Sequence, residues 1–206
     1  MTNLIPTFLS GLALSAALIM AIGAQNMFVL RQGLRREHVG PVVLFCGTAD
    51  ALLISAGVAG LGVFLTMIPN LSLILTIGGA GFLGWYGVSA LRHAARPAAM
   101  VVTDSRPISL AGALASTAAF TFLNPRVYLD TVLLMGTVGA SQPLPTRPLF
   151  IAGAATASFT WFGTIGYGAR LLTPVFARPN AWKVLDCLIG MAMLALATSL
   201  LMLIQP

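Results

Sequence analysis

Charge is what this sequence has least of. Eleven Lys and Arg with five Asp and Glu amount to 8% of its 206 residues, where a soluble domain carries about 25%. So few charges cannot cover a water-facing surface. With 58% hydrophobic residues and a mean hydropathy of +0.93, the chain is neither a soluble globular protein nor an intrinsically disordered one. Cysteine is scarce too. Cys46 and Cys187 both sit in apolar stretches and read as small buried hydrophobes, not as a disulfide framework. The two histidines, His38 and His93, fall between apolar stretches and read as solvated interfacial side chains. Without an intramembrane His or an acidic-His cluster, no metal site is expected. No Ser or Cys stands beside a base inside an apolar stretch, so hydrolase chemistry is excluded. The sequence predicts neither an enzyme nor a cofactor.

What is present is long apolar runs. A membrane-crossing helix needs about 20 mainly apolar residues, and six stretches qualify: Leu4 to Leu30, Pro41 to Met67, Leu71 to Leu91, Leu110 to Ala140, Leu149 to Ala169, and Val184 to Ile204. Pro69-Asn70 is a turn signal between two of them, as are Pro143, Pro145 and Pro148, then Pro174 and Pro179. The first stretch lacks a basic residue ahead of it and is followed by another span, so it reads as a membrane helix and not as a signal peptide. The packing pairs Ala80/Gly84, Gly112/Ser116 and Gly153/Ala157 have the four-residue spacing that lets helices approach closely. Trp85, Tyr86, Trp161, Tyr167 and Trp182 lie mostly toward span ends, as interfacial anchors do.

The net charge of +6 and a pI near 10.4 would ordinarily suggest a phosphate-rich partner. Here the basic residues are distributed by loop. Arg31, Arg35 and Arg36 lie in the first loop, Arg92, Arg96 and Arg106 in the third, and Arg170, Arg178 and Lys183 around the fifth. The fourth loop has Arg147 alone. The positive-inside rule then puts the odd loops in the cytoplasm and both termini outside, and no nucleic acid is needed to explain the pI.

Three spans precede the third loop and three follow it. An odd number per half inverts the second half relative to the first, an architecture common in secondary transporters. The expected fold is therefore an all-α integral membrane protein, one transmembrane domain over residues 1–206. It comprises about six helices as two inverted three-helix repeats (1–91 and 110–206), joined by a cytoplasmic loop (92–109), with N-out/C-out topology. Spans one and four are unusually long. A straight 27-residue helix would measure about 40 Å against a hydrocarbon core of about 30 Å. Each is interrupted by polar residues at a helix disturber: Gly23-Ala24-Gln25-Asn26 in the first and Asn124-Pro125-Arg126 in the fourth. Pro125 removes a backbone hydrogen bond. Freed backbone groups at membrane depth are tolerated only against protein or a cavity, so Gly23 and Pro125 mark expected helix breaks. Paired interruptions in the two halves point to a transport site. The amides of Gln25, Asn26 and Asn124 have no reason to sit in lipid beside a simple kink.

Ionisable groups inside spans are costly, about 2.5 to 3.5 kcal/mol at mid-span. Three stand out: Asp50, Arg126 and Asp130. Arg126 and Asp130 are i and i+4 and share a face if the helix continues through them. They can neutralise each other, or Arg126 can reach Asp50 from a neighbouring helix. Asp50 has no partner nearby in sequence. Burial disfavours its charged form, which makes it a protonated carboxyl or a carboxylate awaiting a cation.

The run Ile22-Gly23-Ala24-Gln25-Asn26-Met27-Phe28-Val29-Leu30-Arg31-Gln32-Gly33 closely resembles the first-span signature of lysine/arginine exporters of the LysE type. Asn124-Pro125-Arg126-Val127-Tyr128-Leu129-Asp130 is similar to that family's second signature, Asn-Pro followed by Tyr-Leu-Asp. The related threonine/homoserine exporters usually carry a Pro-Gly-Pro-Asn-like first motif, so Gly-Ala-Gln-Asn favours the basic-amino-acid branch. The resemblance spans the whole chain. It implies export of L-arginine and L-lysine across a bacterial inner membrane by a multi-pass protein, and it maps the family's intramembrane acidic positions onto Asp50 and Asp130.

The expected site follows. Gln25, Asn26, Asp50, Asn124 and Asp130 bind substrate, while Asp50, Asp130 and Arg126 couple its movement to protons. The partners are a basic amino acid, protons and the lipid bilayer. A neutral-amino-acid exporter is the chief alternative. A thiol-disulfide electron carrier would need Cys46 and Cys187 to meet, although they occupy non-corresponding spans.

Overall fold

The computed structural model describes residues 4–20, 23–60, 70–95, 107–176 and 179–202. Among them the regular structure is helical throughout. The first long stretch is two helices, α1 (Leu4–Ile19) and α2 (Ala24–Arg35), which meet at 84°. Next come α3 (Val39–Val58) and α4 (Leu71–Ala94). The fourth stretch is α5 (Leu110–Phe122), then α6 (Pro125–Val127), a π-helical segment (Tyr128–Leu134) and α7 (Met135–Ala140). The chain ends with α8 (Arg147–Gly168), α9 (Thr173–Phe176) and α10 (Pro179–Met202).

Local chemistry sets these boundaries. Ser109 caps α5 by accepting from the Gly112 N–H at 3.1 Å. Proline lies in the first turn of α6 and of α8, where its missing N–H costs nothing. Arg36, His38 and Asn70 take left-handed backbone angles and turn the chain between helices. Arg147, the lone basic residue of the fourth loop, donates to the carbonyls of Ala140 and Gln142. A cation there satisfies the C-terminal end of α7.

Four helices are long and apolar enough to cross a membrane, and the bent pair α1–α2 makes a fifth candidate. The chain is a multi-pass membrane protein. The fourth stretch, which the sequence shows interrupted at Asn124-Pro125, is divided there, leaving a 13-residue α5 that is too short to span alone. Expectations resting on Arg96, Arg106 and most of the 92–109 loop, and on Pro69 and Arg178, fall outside the described residues.

α4 packs along α10, α8 packs against both α1 and α3, and α3 also meets the π-helical segment and α7. Gly79 lies beside Leu200 and Gly87 beside Gly190, so α4 and α10 run antiparallel. Helix starts repeat across the chain: Val39 to Arg147 and Leu71 to Pro179 are both steps of 108 residues. The same step carries Thr48-Ala49-Asp50 onto Thr156-Ala157-Ser158, and Val42, Cys46, Ala49, Asp50 and Ile54 onto Phe150, Ala154, Ala157, Ser158 and Phe162, all of them buried.

Close approach of the helices depends on glycine, but not at all the expected pairs. Gly153 packs on the Phe8 backbone and Gly11 on that of Phe150, while Gly57 and Gly136 abut each other. Gly84 faces open space, so only Gly153/Ala157 among the expected pairs places its glycine against another helix. Tyr86 is likewise not an interfacial anchor. It joins Phe28, Phe82 and Phe120 in a packed aromatic cluster with centroid separations of 4.8 to 6.3 Å. His38 is not merely solvated, since its Nε2 meets the Ile108 carbonyl at 2.8 Å. Cys46 is buried, and Cys187 only half-buried. A matched pair of substitutions tests the packing. Gly153→Ala puts a methyl on the Phe8 carbonyl and should cost about 1 to 3 kcal/mol, read as a lower melting temperature in detergent, while Gly84→Ala should leave melting unchanged.

Candidate functional site

A membrane cannot solvate the ends of a broken helix, so the two breaks have to be closed by side chains. Gly23 precedes α2 in an extended conformation and provides no side-chain cap. The Asn26 Nδ2 reaches back 2.9 Å to the Ile19 carbonyl at the end of α1. In the second break the Asn124 Oδ1 accepts the Arg126 N–H at 3.1 Å, and Pro125 stands at the first helical position. These bonds correct the sequence argument about the amides. Asn26 and Asn124 do have a structural reason for their depth, because they cap severed helix ends.

Both breaks open on one cavity of about 720 Å³. All the residues singled out from the sequence, Gly23, Gln25, Asn26, Asp50, Asn124, Pro125, Arg126 and Asp130, line it. Apolar walls come from Ile54, Leu83, Met135 and Phe162, and Ser15, Thr76 and Thr131 add hydroxyls. The cavity reaches the end of the bundle where Asn70, Leu73 and Ser199 are exposed.

The two carboxylates differ in setting. Asp50 is 6% exposed and its Oδ2 accepts from the Ser158 hydroxyl at 2.9 Å. Asp130 is more open, and its Oδ2 meets the Arg126 Nε at 3.2 Å. The helix does continue from Arg126 to Asp130, as the i, i+4 reading required, but through a π-helical segment. Such widened turns recur at functional sites. Arg126 thus pairs with Asp130 along its own helix, and the cross-helix partner of Asp50 is Ser158. Its Oδ1 is not used in that bond. Gln25 supplies a polar atom of a different kind: its buried Nε2 has only the Cys46 thiol beside it as a weak acceptor. The first N–H groups of α2, at Ala24 and Gln25, start a helix whose cap residue offers them nothing. One chamber thus holds both hydrogen-bond donors, from Gln25 and the start of α2, and two carboxylates.

Two groups escaped the sequence reading. Ser158 looks like any small polar residue in an apolar helix, yet the 108-residue step that pairs it with Asp50 was a usable signal. The count of three intramembrane charges also omits Asp186. Asp186 is 5% exposed on α10 and pairs with the Arg31 guanidinium at 3.1 Å, while Arg31 Nη1 donates to the Tyr86 hydroxyl at 3.3 Å.

The fold and cavity define a membrane protein whose helices break around a polar chamber, the form of a solute translocator. The chain belongs to the LysE type translocator family, whose model matches residues 16–203. A Mycobacterium tuberculosis chain with the name "Putative amino-acid transporter" is 46% identical over 182 residues, 88% of this chain and 90% of the relative. An arginine exporter protein of Pectobacterium atrosepticum is 37% identical over 194 residues, 94% of this chain and 95% of its own. One from Yersinia enterocolitica is 37% identical over 204 residues, 96% and 97% of the two chains. No solved structure matches the chain. If the chamber admits water, Thr131→Cys in a cysteine-free background should react with a small water-soluble thiol reagent about tenfold faster than Met193→Cys, which sits in the packed core. Equal rates would contradict an open chamber.

Proposed function

We propose that this protein exports the basic L-amino acids arginine and lysine across the bacterial inner membrane in exchange for protons. The observation that carries the reading is the convergence of both helix breaks, Gln25, Asp50 and Asp130 on one chamber. The similarity to arginine exporters supports the choice of cargo.

The physics of the task constrains the mechanism. Arginine and lysine carry +1 at neutral pH. Moving that charge outward against an inside-negative potential costs about 2.3 kcal/mol per 100 mV, so an uncoupled pathway would import them. Exchange for one incoming proton cancels the charge movement and leaves the pH gradient as the drive. One carboxylate that takes either a proton or the cargo cation, never both, performs this exchange. Asp50 and Asp130 are the candidates. Arg126, already on Asp130, serves as an internal cation that holds the site neutral when cargo is absent. The Gln25 amide and the N-terminal N–H groups of α2 seat the α-carboxylate, which the helix dipole favours. Asn26 and Asn124 hold the two breaks in shape beside the cargo.

In this reading residues 1–91 and 110–206 are inverted halves, with both termini outside and the arginine-rich odd loops in the cytoplasm. Three features support the inversion: the 108-residue step between helix starts, the matching burial along α3 and α8, and the broken first segment of each half packing on the other half's second helix. Alternating access is then a rocking of one half against the other about the chamber.

The test is efflux from arginine-loaded proteoliposomes under an inwardly directed proton gradient. Asp50→Asn and Asp130→Asn should each lower gradient-driven efflux by about tenfold or more, roughly 1.4 kcal/mol of lost coupling. Lysine should compete and threonine should not. Undiminished efflux in both variants would exclude a carboxylate exchanger, and threonine competing as well as lysine would point to a neutral-amino-acid exporter.

A further inference from the structure

The chamber reaches one end of the bundle, and the opposite end is closed by a specific set of contacts. Because α4 and α10 are antiparallel, the chamber residues Asn70, just before α4, and Leu73 and Thr76 on it share an end with Leu196, Ser199 and Leu200 on α10. Tyr86 and Asp186 lie past the chamber floor at Leu83, toward the other end of the same two helices. Arg31 reaches them from α2, about 10 Å along that helix from the chamber residue Ala24.

Two layers lie there. Next to the chamber floor the rings of Phe28, Phe82, Tyr86 and Phe120 interlock, and Phe28 and Phe120 are each 2% exposed. Beyond them is a polar layer. The Arg31 guanidinium pairs with Asp186 at 3.1 Å and donates to the Tyr86 hydroxyl at 3.3 Å, with only 12% and 7% of the two charged side chains exposed. Arg35, one turn on, stacks over the Trp182 ring at 5.9 Å, and Glu37 acts electrostatically on both arginines. Two cations and two carboxylates act on one another in this layer. It fastens α2, from the first half, to α10, from the second.

We propose that the Arg31–Asp186–Tyr86 contact is the gate that closes the translocation path at the end opposite the chamber mouth. The inference rests on the alternating-access reading above, in which this end faces the cytoplasm. The ion pair is close and largely buried, and it joins α2 to α10 directly. The Tyr86 ring belongs to the aromatic layer and its hydroxyl to the polar one, so release of Arg31 frees both layers together. The gate also follows from the break at Gly23. Because α2 is a separate half-helix, its hinge lies at the Gly23 break, where the Asn26–Ile19 bond holds it to α1.

The experiment measures access from each face. Thr131→Cys, which lines the chamber, is placed in a Cys46→Ala/Cys187→Ala background and exposed to a membrane-impermeant maleimide in right-side-out and inside-out vesicles. The parent should label from the outer face only. Asp186→Asn, of the same shape but uncharged, should raise labelling from the cytoplasmic face by about tenfold, and Tyr86→Phe by a smaller factor. The exchange Arg31→Asp with Asp186→Arg should bring cytoplasmic labelling back toward the parent rate. Parent-like cytoplasmic labelling in both Asp186→Asn and Tyr86→Phe overturns the gate and leaves the chamber reading standing. A parent that labels from neither face overturns the chamber, and the gate with it.

Discussion

A peptide group inside a membrane has no water to bond with, and each one left unpaired costs several kcal/mol. This protein breaks two of its helices at membrane depth and so has to close the severed ends with its own side chains. Asn26 returns to the Ile19 carbonyl, and Asn124 takes the Arg126 N–H. The breaks survive because of these bonds, and the chamber exists because of the breaks. α1 and α2 meet at 84°, and the first residues of α2 line the same chamber as Asp50 and Asp130.

Much of this was legible in the order of the residues. Apolar run length gave the helices, and the pairing of glycine or proline with amides gave both breaks. The lining residues could be named because lipid tolerates so few polar groups that each one needs a reason. What stayed hidden was three-dimensional pairing. Asp186 sits three residues into an apolar stretch, where a charge can pass for an interfacial residue. Only the fold brings Arg31 from a loop-like arginine run to within 3.1 Å of it. Ser158 was hidden for another reason: a lone serine in an apolar helix usually bonds its own backbone. Tyr86 was misread because an aromatic toward the end of a span resembles a membrane anchor until a cation from another helix reaches its hydroxyl.

The chamber and the closed end divide the work between them. In the chamber the charges are accessible: Asp130 and Arg126 are partly exposed, and Asp50 is held by a single hydroxyl. At the closed end Arg31 and Asp186 are paired and largely buried. The 108-residue correspondence between α3–α4 and α8–α10 gives the chain two matching sets of helices, and Asp50 and Ser158 occupy equivalent places in them. In the proposed rocking of two inverted halves, their bond would cross the axis of the motion.

The central claim is that the chamber recognises cationic amino acids through its carboxylates. Citrulline has nearly the shape of arginine but a neutral urea in place of the guanidinium, so calorimetric titration of both into the purified protein isolates the charge. The account predicts that arginine binds about tenfold or more tightly than citrulline, and that the preference disappears in Asp50→Asn/Asp130→Asn. Equal affinity for the two ligands in the unaltered protein would contradict it.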